Sequence, residues 1–140
     1  MLIQSKNVWI ADQFISAQIE IDDNKITNIY KYNEKDGAYD YGNRKIVPGF
    51  IDIHCHGAYG FDTNDANEEG LRNWTKKIPN EGVTALLATT ITQSREVLTN
   101  AVANVAKVVE DGYEGAEILG IHFEGPYLDM EYKGAQPKQF

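Results

Sequence analysis

The hydrophobic period changes along the chain. In "AQIEIDDNKITNIY", Ile19 and Ile21 alternate with Gln18 and Glu20, the pattern of a half-buried strand. "NVWI", "FISAQIEI" and "KITNIYKY" are rich in strand formers, and Asp22-Asp23-Asn24 reads as a hairpin turn. "NEKDGAYDYGN" is polar, carries two glycines and has no period, so it is expected to be a loop. Residues 1–46 therefore predict a small antiparallel β-sheet subdomain, too short to bury much core by itself.

From residue 47 the pattern becomes strand, helix, strand, helix, strand. "FIDIHCHG" predicts a strand with Ile51, Ile53 and Cys55 on one face and Asp52, His54 and His56 on the other. In "NEEGLRNWTKKIPNEG", Leu71, Trp74 and Ile78 recur at helical spacing, acidic residues fill the first turn, and Pro79 and Gly82 mark the end. "VTALLATTI" is almost continuously apolar, as for a strand covered on both faces. "SREVLTNAVANVAKVVEDG" predicts a longer helix, capped by Ser94, stopped by Gly112, with Val97, Ala101, Val105 and Val108 as its buried stripe. "EILGIHFEGPYL" is the third strand. Strands alternating with helices imply an α/β fold with parallel pairing and right-handed crossovers.

Composition narrows the function. Within 140 residues, 42% hydrophobic and 24% charged positions describe a globular chain. A net charge of −8 argues against nucleic-acid binding, which needs a basic stripe. No run approaches the roughly 20 apolar residues of a membrane span, and "MLIQSKNVWIADQ" lacks the basic-then-apolar pattern of a signal peptide. A single cysteine, Cys55, permits no internal disulfide and fits the reducing cytoplasm.

The chemistry gathers at two strand ends. His54 and His56 are two residues apart, so on a strand both imidazoles reach the same side and could hold one cation. Two ligands do not close a site, and a pair of solvated loop histidines has the same spacing. Asp52 could orient a ligand or be a hydrogen-bonded core carboxylate, while Gly57 and Gly60 allow a tight turn beside the pair. In "GIHFEGPY", His122 and Glu124 share a face. A buried Glu at a strand's carboxyl end is poor core filling, and in a parallel α/β arrangement the strand ends form one mouth. His122 reads first as a satisfied inner-layer histidine. Thr89, Thr90 and Thr92 could line the mouth but are also ordinary strand residues. Cys55 reads as a small buried apolar residue, and Trp9 and Trp74 as core or sheet-surface aromatics.

"VPGFIDIHCHG", "GVTALLATTIT", "ILGIHFEGPYL" and "KGAQP", in this order, resemble the N-terminal part of the N-acetylglucosamine-6-phosphate deacetylase branch of the amidohydrolase superfamily. The resemblance implies the N-terminal part of a (β/α)₈ TIM-type barrel over residues 47–140, preceded by the β-sheet subdomain of residues 1–46. It implies a metal-dependent hydrolase that converts N-acetylglucosamine 6-phosphate to glucosamine 6-phosphate and acetate, using a divalent metal, zinc, as one or two ions. Glu124 falls on the family's metal-binding glutamate, and His54 and His56 on an H-x-H pair that some members keep. Ala135 and Gln136 fall where the family contacts substrate; some members carry histidine at the latter position. The implied partner is a small-molecule amino-sugar phosphate, and the implied assembly a cytoplasmic homodimer, with no nucleic acid or membrane involved. Another amidohydrolase, such as a cyclic amide hydrolase, shares "PGFIDIHCHG", and a non-catalytic α/β module is the reading without an enzyme.

In the family, the catalytic acid/base aspartate and two further histidine ligands come from later strands. A (β/α)₈ barrel needs at least roughly 200 residues, so the barrel is expected to be incomplete in this chain and its third strand to expose an edge. The chain is expected to act as an N-terminal fragment without deacetylase activity of its own. Purified 140-residue protein should release no acetate from N-acetylglucosamine 6-phosphate; measurable turnover would contradict this.

Overall fold

A computed structural model of the chain describes residues 1–139. Two compact units divide it, Met1–Pro48 and the residues from Gly49 onward.

In the first unit, β1 (Leu2–Ile10), β2 (Gln13–Asp22) and β3 (Lys25–Lys31) form an antiparallel meander. Both hairpins turn on two residues with positive φ, Ala11-Asp12 and Asp23-Asn24, as a tight turn matched to strand twist requires. Val8, Ala17 and Ile19 make the core, with Ile3, Ile10, Ile21 and Ile46 against it. Two expectations are corrected here. The sheet is mixed, because β4 (Tyr39–Asp40) and β5 (Lys45–Ile46) pair parallel with β1 from within and just after the expected loop. They answer the otherwise unpaired edge of β1: Tyr41 N donates to Gln4 O at 2.9 Å and Lys6 N to Gly42 O at 2.8 Å. Gln18, a polar position in the strand alternation, is fully buried. Its amide donates to Gln4 Oε1 and Lys35 O and accepts from Lys35 N, at 2.6–2.9 Å. A polar side chain so satisfied can sit inside a sheet.

The second unit runs β6 (Phe50–Cys55), α1 (Glu68–Lys77), β7 (Val83–Thr90), α2 (Arg95–Asp111), β8 (Glu117–Phe123). The three strands form a parallel sheet in the order β6-β7-β8, with β7 central. This explains the continuous apolar run of β7, whose Leu86 and Ala88 have no exposed surface. Leu86, Ala88 and Ile118 pack with Leu71, Trp74 and Ile78 and with Val105 and Val108.

Asn67 caps α1 by accepting from Gly70 N at 2.6 Å, and Ser94 caps α2 by accepting from Val97 N. Helix α1 is shorter than its apolar spacing predicts. Residues Ile78–Glu81 form a 3₁₀ turn, since Pro79 lacks the N–H that would continue the α-helix. On α2 the buried stripe starts at Leu98, with Val97 only half-buried. On β6, an edge strand, Ile51 and Ile53 are exposed. The Lys107 ammonium, 2.6 Å from Glu68 and 3.0 Å from Asp111, ties α2 to α1. These hydrogen bonds, Glu68 first, hold it above the usual lysine range. No helix among the described residues is long and apolar enough to cross a membrane.

Gly115 locks the approach to β8. Its φ is +99°, and a Cβ there would lie 2.0 Å from Thr75 O, the carbonyl that accepts from Ala116 N at 2.9 Å. Gly112 has φ +80° and open space around it. Gly112→Ala should therefore cost about 1–3 kcal/mol, the positive-φ backbone penalty alone, and Gly115→Ala more than that, because its Cβ would also strike Thr75 O. Urea unfolding midpoints check the order; equal midpoints would contradict it.

Candidate metal centre

The ladder between β6 and β7 slips where the histidines lie. Asp52 pairs with Leu86 and Cys55 with Ala88, so β6 carries one residue more than β7 across that stretch. Such a bulge re-aims the side chains at its end. Past it, Gly57 turns the chain at φ +145°, where a Cβ would lie 2.1 Å from Phe61 O. Only glycine fits that approach. Thr63, fully buried, then donates to His56 O through both its backbone N–H and its hydroxyl, at 2.7 and 2.8 Å. The main chain carrying His56 is thereby pinned.

His56 Nδ1 lies 3.2 Å from Thr89 O. A carbonyl only accepts, so Nδ1 carries the hydrogen of that contact and Nε2 is the ring atom turned toward Glu124. That Nε2 lies 3.1 Å from Glu124 Oε2, and His54 Nε2 lies 3.2 Å from the same oxygen. Glu124 stands one residue past β8 and is half-buried, where the sequence suggested a buried carboxylate within the strand. Lone pairs this close repel unless a proton or a cation lies between them. One ligand atom from each of His54, His56 and Glu124 falls within 4.8 Å of the others. With zinc–ligand bonds of roughly 2.0–2.1 Å, tetrahedral ligands are roughly 3.4 Å apart. The observed spacings and the N,N,O donor set therefore fit a divalent cation.

The other sequence candidates divide. Asp52 Oδ1 accepts from His54 N at 3.0 Å, a local main-chain role. His122 is corrected: it is half-buried, its ring lies against His54 with centroids 4.9 Å apart, and that ring makes no hydrogen bond among the described residues. It adjoins the site because β8 registers His122 opposite Thr89. Cys55 packs against the core, half-buried where a buried residue was expected. Thr89, Thr90 and Thr92 are all buried. Ala135 is exposed, and buried Gln136 uses its Oε1 to accept from Thr92 N at 3.0 Å. Thr92 Oγ1 in turn donates to Glu124 O at 3.4 Å. Gln136 thus helps hold the segment carrying Glu124. The anchoring by Thr63 and by the Thr89 carbonyl has no signature in the hydrophobic period.

The profile of the amidohydrolase family matches residues 46–139. The N-acetylglucosamine-6-phosphate deacetylase of Bacillus subtilis (strain 168) is 45% identical over 98 residues, covering 68% of this chain and 25% of that protein. The enzyme of that name from Vibrio furnissii is 39% identical over 127 residues, covering 89% of this chain and 32% of that protein. A structure of a mutant N-acetyl-D-glucosamine-6-phosphate deacetylase from Mycobacterium smegmatis, in complex with N-acetyl-D-glucosamine-6-phosphate, superposes with a TM-score of 0.86 at 27% identity. That match covers 98% of this chain and 35% of the other. The enzyme from Pasteurella multocida gives a TM-score of 0.84 at 26% identity, covering 99% and 38%. The chain spans about a quarter to a third of the length of the curated relatives it matches. With the match to the family profile, and with the fold shared at these TM-scores, the chain belongs to the amidohydrolase family.

Proposed function

We propose that this chain supplies cation ligands to a metal-dependent deacetylase that converts N-acetylglucosamine 6-phosphate to glucosamine 6-phosphate and acetate. The observation that carries the reading is the convergence of His54 Nε2 and His56 Nε2 on Glu124 Oε2. Imidazole and carboxylate donors suit zinc. When bound, such an ion polarises the acetamide carbonyl and makes a hydroxide-like nucleophile available near neutral pH.

The chain's own residues then have distinct tasks. His54 and His56 offer nitrogen donors from one strand end, and Glu124 adds a carboxylate from just past the strand on the far side of β7. The Thr89 carbonyl holds the His56 ring in the tautomer that leaves Nε2 free. Ala135, exposed, contributes surface toward the sugar phosphate, while Gln136 keeps its segment against the end of β7. All three ligand side chains are engaged at the cation, so the proton for the leaving amine comes from elsewhere. The family resemblance gives that role to an aspartate of a later strand.

The same reading takes β6, α1, β7, α2 and β8 as the first units of a (β/α)₈ barrel, residues 47–140, preceded in sequence by a β-subdomain of residues 1–46. A cytoplasmic homodimer acting on an amino-sugar phosphate completes it. The deacetylase names of the relatives from Bacillus subtilis and Vibrio furnissii support this substrate over a cyclic amide.

A chimera tests the reading. Replacing the matching segment of the Bacillus subtilis relative with this chain should preserve acetate release from N-acetylglucosamine 6-phosphate. Glu124→Gln in the chimera should lower kcat/KM by about 1,000-fold, about 4 kcal/mol of transition-state stabilisation. A folded chimera that opens cyclic amides, or that keeps full activity without the Glu124 carboxylate, would contradict it.

A further inference from the structure

Thr89 touches the site in three ways. Its Oγ1 accepts from Cys55 N at 3.1 Å, so it grips the one residue between the two histidines. The same hydroxyl donates to Leu87 O at 3.1 Å, so its own proton is spoken for and its lone pairs face β6. Its carbonyl accepts from His56 Nδ1 at 3.2 Å. Across the sheet its partner on β8 is His122, whose ring packs on His54. The side chain is fully buried.

These bonds fall where the β6–β7 register slips between Asp52 and Cys55. A bulge disrupts the ladder locally, and a main-chain N–H left unpaired in a buried place is costly. A threonine hydroxyl takes up the Cys55 N–H and so fixes the pitch of the strand on both sides of it. His54 precedes and His56 follows that anchored residue, the last of β6. Thr90, the next residue, supplies an internal contrast: it is equally buried, and its hydroxyl has no partner among the described residues.

We propose that Thr89 is a positioning residue for the metal centre, its hydroxyl setting the bulge that aims His54 and His56 at Glu124. The assignment rests on the metal reading above. Orienting groups of this kind typically carry about 10- to 100-fold in metal affinity.

The test is zinc affinity of the full chain by competition with a chromophoric chelator, together with the visible spectrum of the Co²⁺-loaded protein. Thr89→Val keeps the shape and removes the hydroxyl; it should weaken zinc binding about 10- to 100-fold and shift the Co²⁺ bands. Thr89→Ser keeps the hydroxyl and should bind within about threefold of wild type, while Thr90→Val should leave affinity and spectrum unchanged. Thr89→Val binding within threefold of wild type, when Glu124→Gln does not, overturns this assignment and spares the metal reading. If the valine variant fails to fold, the serine variant decides: affinity retained supports the assignment, and a loss beyond tenfold overturns it. Wild-type chain that takes up no zinc overturns the metal reading and this assignment with it.

Discussion

Two imidazole nitrogens lie 3.1 and 3.2 Å from a single carboxylate oxygen, a convergence that none of the three side chains produces by itself. With the Nδ1 hydrogen of His56 directed at Thr89 O, the donor atoms that face one another there need a proton or a cation between them. Their closeness is imposed by the backbone and relieved by whatever positive charge they share. The second unit can be understood as the apparatus that imposes it.

The imposition begins with strand order. His54 rides on β6, His56 follows its last residue and the carboxylate follows β8, with β7 between them, so the two main chains are about 10 Å apart at the usual strand spacing. Side chains can close such a gap only across the end of the central strand. The slip in β6, the glycine turn at Gly57 and the double grip of Thr63 on His56 O bring the histidines there. From the other side, Glu124 is steadied through Thr92, itself held by Gln136. Beneath this mouth, the packing of Leu86 and Ala88 against Leu71, Trp74, Val105 and Val108 keeps β7 fixed. A rigid strand end is the condition for ligands placed to within a fraction of an ångström.

The fold was largely legible from period and punctuation. Alternation at Ile19 and Ile21, the apolar run of β7 and the caps at Ser94 and Gly112 sit where strands and helices form. The short strands β4 and β5 were not, because two residues are too few to carry a period. They exist because a neighbouring edge needed partners. Gln18 looked like a surface residue, since the loop that satisfies its amide follows well after it in sequence. His54, His56 and Glu124 were readable as a group only because parallel strands share a mouth. A single inserted residue in β6 leaves no trace in composition, and a threonine that anchors an N–H looks like any strand threonine. Tertiary hydrogen bonding of this kind lies outside what local pattern encodes.

The most direct measurement is an anomalous difference map from crystals of the zinc-loaded chain, collected on both sides of the zinc absorption edge. A single dominant peak in bonding range, about 2.0–2.3 Å, of His54 Nε2, His56 Nε2 and a Glu124 oxygen is the predicted result. Zinc bound elsewhere, with those three side chains turned apart, would contradict the account.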